Sequence, residues 1–357
     1  MVTGDNIAEL SLKVDPGLNR DTLKDCHTVI SLSKTGFSIM VAGENKRRIL
    51  LSAQRFWKEE KSETKLIELY EKSIDQLPVN PDLSASLKCL VNFQKFSLVP
   101  EHFYQKGKGQ QILSYTAKLQ KGDRIYTDHW THSEALMIHA VPESISEWIT
   151  KRFMQAQIQH QASAIENLYQ ATKNESFTGI LYVSPGEADF YLAQKSKVQW
   201  YNKFQFQTEE DLLYFILYSL EQNRFLPNEL HLKVGGFSLK GDKLRSLLER
   251  YIGEVKDFSV PSNYQLSPMI SEKDLRENIN LLGVLWPVSS VGNFVVSKLK
   301  PHSIYPFDLQ PTLRKKDCSI SWTIISTLKK SAFWISLPVQ EIYPTNWPVE
   351  VVSKLRR

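Results

Sequence analysis

Three groups of side chains in this sequence could do chemistry by type and spacing. His129, His132 and His139 lie close together with Asp128 and Glu134, a donor set that suits zinc. Asp25-Cys26-His27 sets a thiol between an acid and an imidazole, the makings of a nucleophile. Lys46-Arg47-Arg48 is a basic run of the kind that meets phosphate oxygens. Each has a plainer account. On a strand His129 and His132 face opposite sides, His139 lies in an apolar run, and no His-x-x-x-His pair exists, so no metal ligand is assigned. Cys26 enters a predicted strand whose neighbours point apart, which reads as a buried thiol. The basic run falls at a hairpin turn and reads as solvated surface, so no nucleic-acid site is assigned.

The elements around these groups form a pattern that occurs twice. In the first copy, predicted strands at His27–Ser33, Phe37–Gly43 and Arg48–Gln54 precede a helix at Glu63–Gln76 and a strand at Ser86–Gln94. In the second, strands at Gly179–Ser184, Ala188–Gln194 and Val198–Phe206 precede a helix at Glu209–Asn223 and a strand at Glu229–Gly236. Thr208 is the expected N-cap of that helix, with Glu209, Glu210 and Asp211 in its first turn. A helix at Asp242–Ile252 and a strand near Val255–Val260 follow. Between the copies, about 95–150, we read an inserted α+β subdomain. It has strands near Gln111–Leu119 and Leu136–Val141 and a helix near Glu143–Met154. A strand at Gln157–Ser163 and a helix at Ala164–Thr172 come next. The expected division is 1–155 for the first half with its insertion and 156–285 for the second.

The chain has 357 residues, 42% hydrophobic and 23% charged, ordinary values for a globular protein of two or three domains. No apolar stretch is long enough for a membrane span, and Met1–Glu9 has no apolar core, so neither a span nor a secretory signal is expected. Cys26, Cys89 and Cys318 have no disulfide or metal spacing, which fits a reducing, cytoplasmic setting. The net charge of +5 comes from the segment after Trp286, which carries ten Lys/Arg against four Asp/Glu. The remainder is close to neutral and gives no electrostatic reason to bind a phosphate backbone.

Residues 286–357 hold seven of the sixteen prolines and no periodic apolar face, and are expected to be an irregular, largely disordered tail. Codons allowed for Ala332–Glu341, read from the third base of Ala332, permit Val-Leu-Asp-Leu-Phe-Ala-Gly-Thr-Gly. In the same frame, Ser303–Ser319 and Leu285–Gly292 also permit stretches that resemble a small ribosomal-RNA guanine methyltransferase. The expectation is that this tail is an out-of-frame reading of a downstream gene. Such a neighbour also allows a reading near ribosome maturation, by association alone.

Phe96-Ser97-Leu98-Val99-Pro100, Val183-Ser184-Pro185-Gly186-Glu187-Ala188-Asp189-Phe190, and Glu210–Phe215 ahead of Gly235-Gly236 carry a resemblance over about residues 15–285. They resemble a bacterial, Bacteroidetes-type family carried as a domain of unknown function. Its members have an actin-like ATPase, ribonuclease-H-like fold of duplicated β-β-β-α-β domains. More distantly the layout is similar to the actin-like scaffold proteins of pilus and secretion machines. The resemblance implies an α/β fold with a nucleotide cleft between its halves, and little chemistry. In active members of the wider superfamily each meander opens with Asp-x-Gly, whose turn amides hold phosphate and whose aspartate positions Mg²⁺. The matching turns here are Ser33-Lys34-Thr35-Gly36 and Ser184-Pro185-Gly186, with a serine in place of each aspartate. Pro185 also removes one amide donor.

Ser33, Thr35, Gly36, Ser184, Gly186, Gly235 and Gly236 are thus the implied residues of a degenerate nucleotide cleft, with no catalytic residue and no metal ligand. The expected function is a non-catalytic, pseudo-ATPase interaction or scaffold module with no cofactor and an unidentified protein partner. The alternative is a small-molecule kinase or ATPase that binds ATP between the lobes. Tyr214, Phe215, Tyr218 and Phe225 are expected to be core, and any left exposed would mark a partner surface.

Overall fold

The computed structural model describes residues 8–44, 47–57, 60–172, 177–236, 243–259 and 264–285. The expected tail, 286–357, lies outside the described residues, as do Lys46 and Val260. In chain order the first lobe holds β1 (Ser11–Val14), α1 (Arg20–Leu23), β2 (His27–Ser33), β3 (Gly36–Ala42), β4 (Arg48–Phe56), α2 (Glu63–Ile74) and β5 (Ser86–Asn92). An insertion follows, with β6 (Phe96–Pro100), α3 (Gly109–Ser114), β7 (Arg124–Trp130) and β8 (Ala135–Val141). Then come α4 (Glu143–Arg152), β9 (Gln157–His160) and α5 (Gln161–Thr172). The second lobe holds β10 (Thr178–Ser184), β11 (Glu187–Gln194), β12 (Lys197–Gln205), α6 (Glu209–Gln222), β13 (His231–Gly236), α7 (Lys243–Glu249) and β14 (Glu254–Asp257). β15 (Gln265–Leu266), α8 (Glu272–Glu277) and α9 (Ile279–Leu285) complete the described chain.

The two principal sheets repeat one topology. The first runs β1-β4-β3-β2-β5-β9, with β15 also on β4, and the second runs β12-β11-β10-β13-β14. In both, an antiparallel meander is followed by a helix and a strand parallel to the first one, then by a second helix and another parallel strand. The duplication therefore extends one helix and one strand beyond the β-β-β-α-β unit read from the sequence. β9 lies past residue 155 yet pairs with β5, and α4 packs its Ile145 and Ile149 into the first-lobe core. The insertion proper is the three-stranded sheet β6-β8-β7 covered by α3.

Period-two alternation builds both sheets. On β2 and β3, Ile30, Leu32, Phe37, Ile39 and Val41 face the outer core under α2, while Val29, Met40 and Ala42 face inward. On β10 and β11, Leu181, Val183, Phe190 and Leu192 face α6, while Ile180, Tyr182 and Tyr191 face inward. The two inward faces meet in one shared core with α5 and α9 between them. α2 buries Leu66, Leu69, Tyr70, Ser73 and Ile74 at helical spacing behind an N-cap at Ser62. α6 starts with a capping box of Thr208 and Asp211.

Two expected elements are corrected. The strand near Gln111–Leu119 is helix α3 followed by a turn, because Leu113 and Ala117 reach the small core from a helical turn rather than by alternation. The strand at Gln157–Ser163 ends at His160, where α5 begins. α8 and α9 were not read from the sequence. α9 is buried on every side, so it shows no amphipathic period. Gly283 lets it approach α5, since a Cβ there would lie 2.0 Å from the Ala164 carbonyl oxygen.

Candidate functional site

The seven residues implied for a nucleotide cleft gather at one end of the central strands. Ser33 closes β2 opposite Asn92 of the parallel β5, and Ser184 closes β10 beside Gly236, which pairs with Val183. Ser33–Gly36 and Ser184–Glu187 are therefore equivalent hairpin turns of the two sheets.

The first turn has its carbonyls tied down by the protein. Tyr70 donates its hydroxyl to the Ser33 oxygen at 2.6 Å, the Trp57 indole donates to Lys34 at 2.5 Å, and the Trp57 amide donates to Thr35 at 3.0 Å. Ser33 Oγ accepts the Thr35 amide at 3.3 Å, an amide that would otherwise be free for phosphate. A Cβ on Gly36 would sit 2.5 Å from Phe56 Cδ1, so this glycine admits an aromatic ring. In the second turn Gly186 has φ +78°, and Phe206 donates its amide to the Gly186 oxygen at 3.1 Å. Gly235 and Gly236 serve packing: a Cβ on Gly235 would lie 2.7 Å from Ile279 Cγ2, and one on Gly236 2.1 Å from the Val183 oxygen.

Between the turns lies a buried polar network that sequence reading missed. Lys203 of β12 places Nζ 2.7 Å from Glu187 Oε2 and donates to the Asn92 carbonyl of the first lobe at 3.0 Å. Its side chain and that of Glu187 are 1% and 2% exposed. Asp189, wholly buried, accepts from Gln161 Nε2 at 2.7 Å, Asn92 Nδ2 at 3.4 Å and the Tyr201 hydroxyl. Gln161 Oε1 in turn accepts from Ser31 of β2 at 3.1 Å and Asn280 of α9 at 2.9 Å. The chain thus joins both lobes through the first residue of α5. Burial raises the Asp189 pKa against the opposing pull of Lys203 and Tyr201. Burial, with the charge of Glu187 added, also raises that of the Tyr70 phenol.

Carboxylates therefore do lie beside the turns, one and three residues beyond Gly186, although serines occupy the turn positions. Asp189 is committed to Tyr201, Gln161 and Asn92, whereas Glu187 gives Oε2 to Lys203 and keeps Oε1 buried without a hydrogen-bond partner. Among the described residues no group of three or more His, Cys, Asp or Glu is arranged to hold a metal ion. Two concavities among the described residues lie on the outer face of the first lobe, around α2 and α4.

The other clusters disperse. His129 and His132 are exposed, whereas His139 is buried 3.5 Å from Asp128. Asp128 is further engaged by Ser163 Oγ and the His160 amide, both at 2.7 Å. Cys26 is buried, and burial raises its thiol pKa, so it lacks the thiolate character of a nucleophile. Arg48 pairs with Asp15 at 3.1 Å. Of the α6 aromatics, Phe215 stacks on Phe204, but Tyr218 is 44% exposed beside Tyr214.

Comparison with known proteins places this architecture. The family described as Protein of unknown function (DUF3822) matches residues 15–255. A crystal structure of a Bacteroides thetaiotaomicron protein with an actin-like ATPase fold and unknown function superposes with TM-score 0.60 at 14% identity, over 75% of this chain and 98% of that one. A PilM-PilN type IV pilus biogenesis complex gives TM-score 0.52 at 10% identity, over 72% of this chain and 98% of its own. No curated protein matches. The fold is actin-like, with two sheets of one topology and a small α+β insertion. No helix among the described residues is long and apolar enough to cross a membrane.

Proposed function

We propose a function for this chain from the premise that it belongs to the family described as Protein of unknown function (DUF3822). It acts as a non-catalytic, actin-like interaction module whose inter-lobe cleft is filled by its own side chains. The observation that carries this reading is the Lys203–Glu187 ion pair, buried between the two hairpin turns and tied to the first lobe through Asn92. In a nucleotide-binding cleft a cation at that place would be free for phosphate, and here it is already neutralised. The Thr35 amide, taken by Ser33 Oγ at 3.3 Å, further supports a closed cleft. Tyr218, exposed and stacked on Tyr214, offers an aromatic anchor for a protein partner. The same proposal places the protein in the cytoplasm, in keeping with Cys26 and Cys89 as buried free thiols.

Thermal unfolding with Mg²⁺–ATP tests the reading. A ligand at a hundredfold excess over its Kd stabilises by about 2.7 kcal/mol, a shift of several degrees. The proposal expects ATP to do no more than inorganic triphosphate at equal concentration. A larger, adenosine-dependent shift would favour a kinase or ATPase instead.

A further inference from the structure

A groove of about 490 Å³ on the outer face of the first lobe runs between α2 and the residues leading into β1. Its ionic and polar wall is Arg55 of β4, Lys65, Glu68 and Lys72 of α2, Gln76 just past that helix, and Glu9. Arg55 is 5% exposed, yet its recorded partners are neutral: it donates to Ser73 Oγ at 3.1 Å and to the Gln76 amide oxygen. Its Nε is buried with no hydrogen-bond partner. Among the described residues no carboxylate forms an ion pair with Arg55 or with Lys72. Glu68, which also lines the groove, is taken by Lys65 at 2.9 Å. A guanidinium keeps its charge when buried and is ordinarily matched by an oxyanion. This one lines the groove with no carboxylate upon it, and the rim adds Lys72, a second cation without an ion pair among the described residues.

We propose that this groove is a binding site for a small oxyanion, a phosphate or carboxylate group, held by Arg55 at the floor and Lys72 at the rim. The geometry suits guanidinium chemistry: with two nitrogens held by Ser73 and Gln76, the planar fork is fixed in orientation before any anion arrives. Glu9 is the one carboxylate of the wall without an ion pair among the described residues, and it would compete for the same cations. The site is separate from the inter-lobe network, so it stands whether or not that cleft is closed.

The test is calorimetric titration of the full chain with inorganic phosphate and, separately, with succinate, against sodium chloride at matched ionic strength. One-to-one binding of either probe is expected, with phosphate alone indicating a phosphoryl ligand and both indicating a carboxylate-compatible one. Lys72→Gln, an exposed change, should weaken binding about two- to fivefold, and Glu9→Gln should strengthen it. Arg55→Met should abolish binding while circular dichroism remains native. If that variant fails to fold, Lys72→Glu decides in its place. Absence of binding by both probes, or binding indifferent to the Lys72 variants, would overturn the proposal.

Discussion

Removing the charge of Lys203 should reveal how completely the space between the lobes is closed. In Lys203→Met the carboxylate of Glu187 loses a cation at 2.7 Å, and both side chains are almost wholly removed from water. Breaking a buried pair on one side costs about 3–5 kcal/mol, because the remaining charge stays desolvated. For a body of this size that corresponds to a fall in Tm of roughly 10 °C. The Asn92 carbonyl also loses its donor, which adds about 1 kcal/mol. Glu187→Gln in the same chain removes the stranded charge, so the double variant should recover about 2 kcal/mol of coupling. Urea unfolding followed by circular dichroism measures all three variants against the parent. A loss below about 1 kcal/mol for Lys203→Met is the value of a solvent-screened surface pair. That result would refute the claim that the cleft is dry and self-filled.

Two further outcomes follow from the same geometry. Gly236→Ala should cost at least about 3 kcal/mol, since the residue has φ +98° and its new Cβ would lie 2.1 Å from the Val183 oxygen. Thermal denaturation of that variant checks it. His160 is buried as the neutral ring, accepting the Ala162 amide at Nδ1 and donating from Nε2 to the Phe93 oxygen at 3.2 Å. Burial first, and then the neighbouring His139, push its pKa down to about 3. The unfolded chain takes up this proton near pH 6.5 and the folded one does not. The stability it contributes is therefore present above pH 6.5 and lost progressively toward pH 3, by up to about 1.4 kcal/mol per pH unit. His160→Gln should flatten that part of the stability–pH profile.

Much of the fold was legible because its signals are local. The hairpins at Ser33–Gly36 and Ser184–Glu187 sit between runs of β-branched and apolar residues, and α2 and α6 announce themselves by helical spacing and N-caps. α9 was not legible, because a helix enclosed on all sides carries no amphipathic stripe. α3 was misread because Ile112, Tyr115, Ala117 and Leu119 come close to alternating. The seven residues implied for a cleft came from the resemblance, and they lie at one end of the two sheets. The network that fills the space was missed. Its signal was present: Glu187 and Asp189 interrupt an apolar strand at period two, and Lys203 pairs directly across from Asp189. What the sequence could not tell is that Asn92, Gln161 and Asn280, distant along the chain, close around that face.

The self-filled cleft is tested most directly by calorimetric titration of Mg²⁺–ATP into the Lys72→Gln chain, a background that weakens any contribution from the outer groove. The account predicts no isotherm beyond that of inorganic triphosphate at millimolar ligand. A saturable, one-to-one isotherm specific for ATP, lost on Gly36→Val, would contradict it.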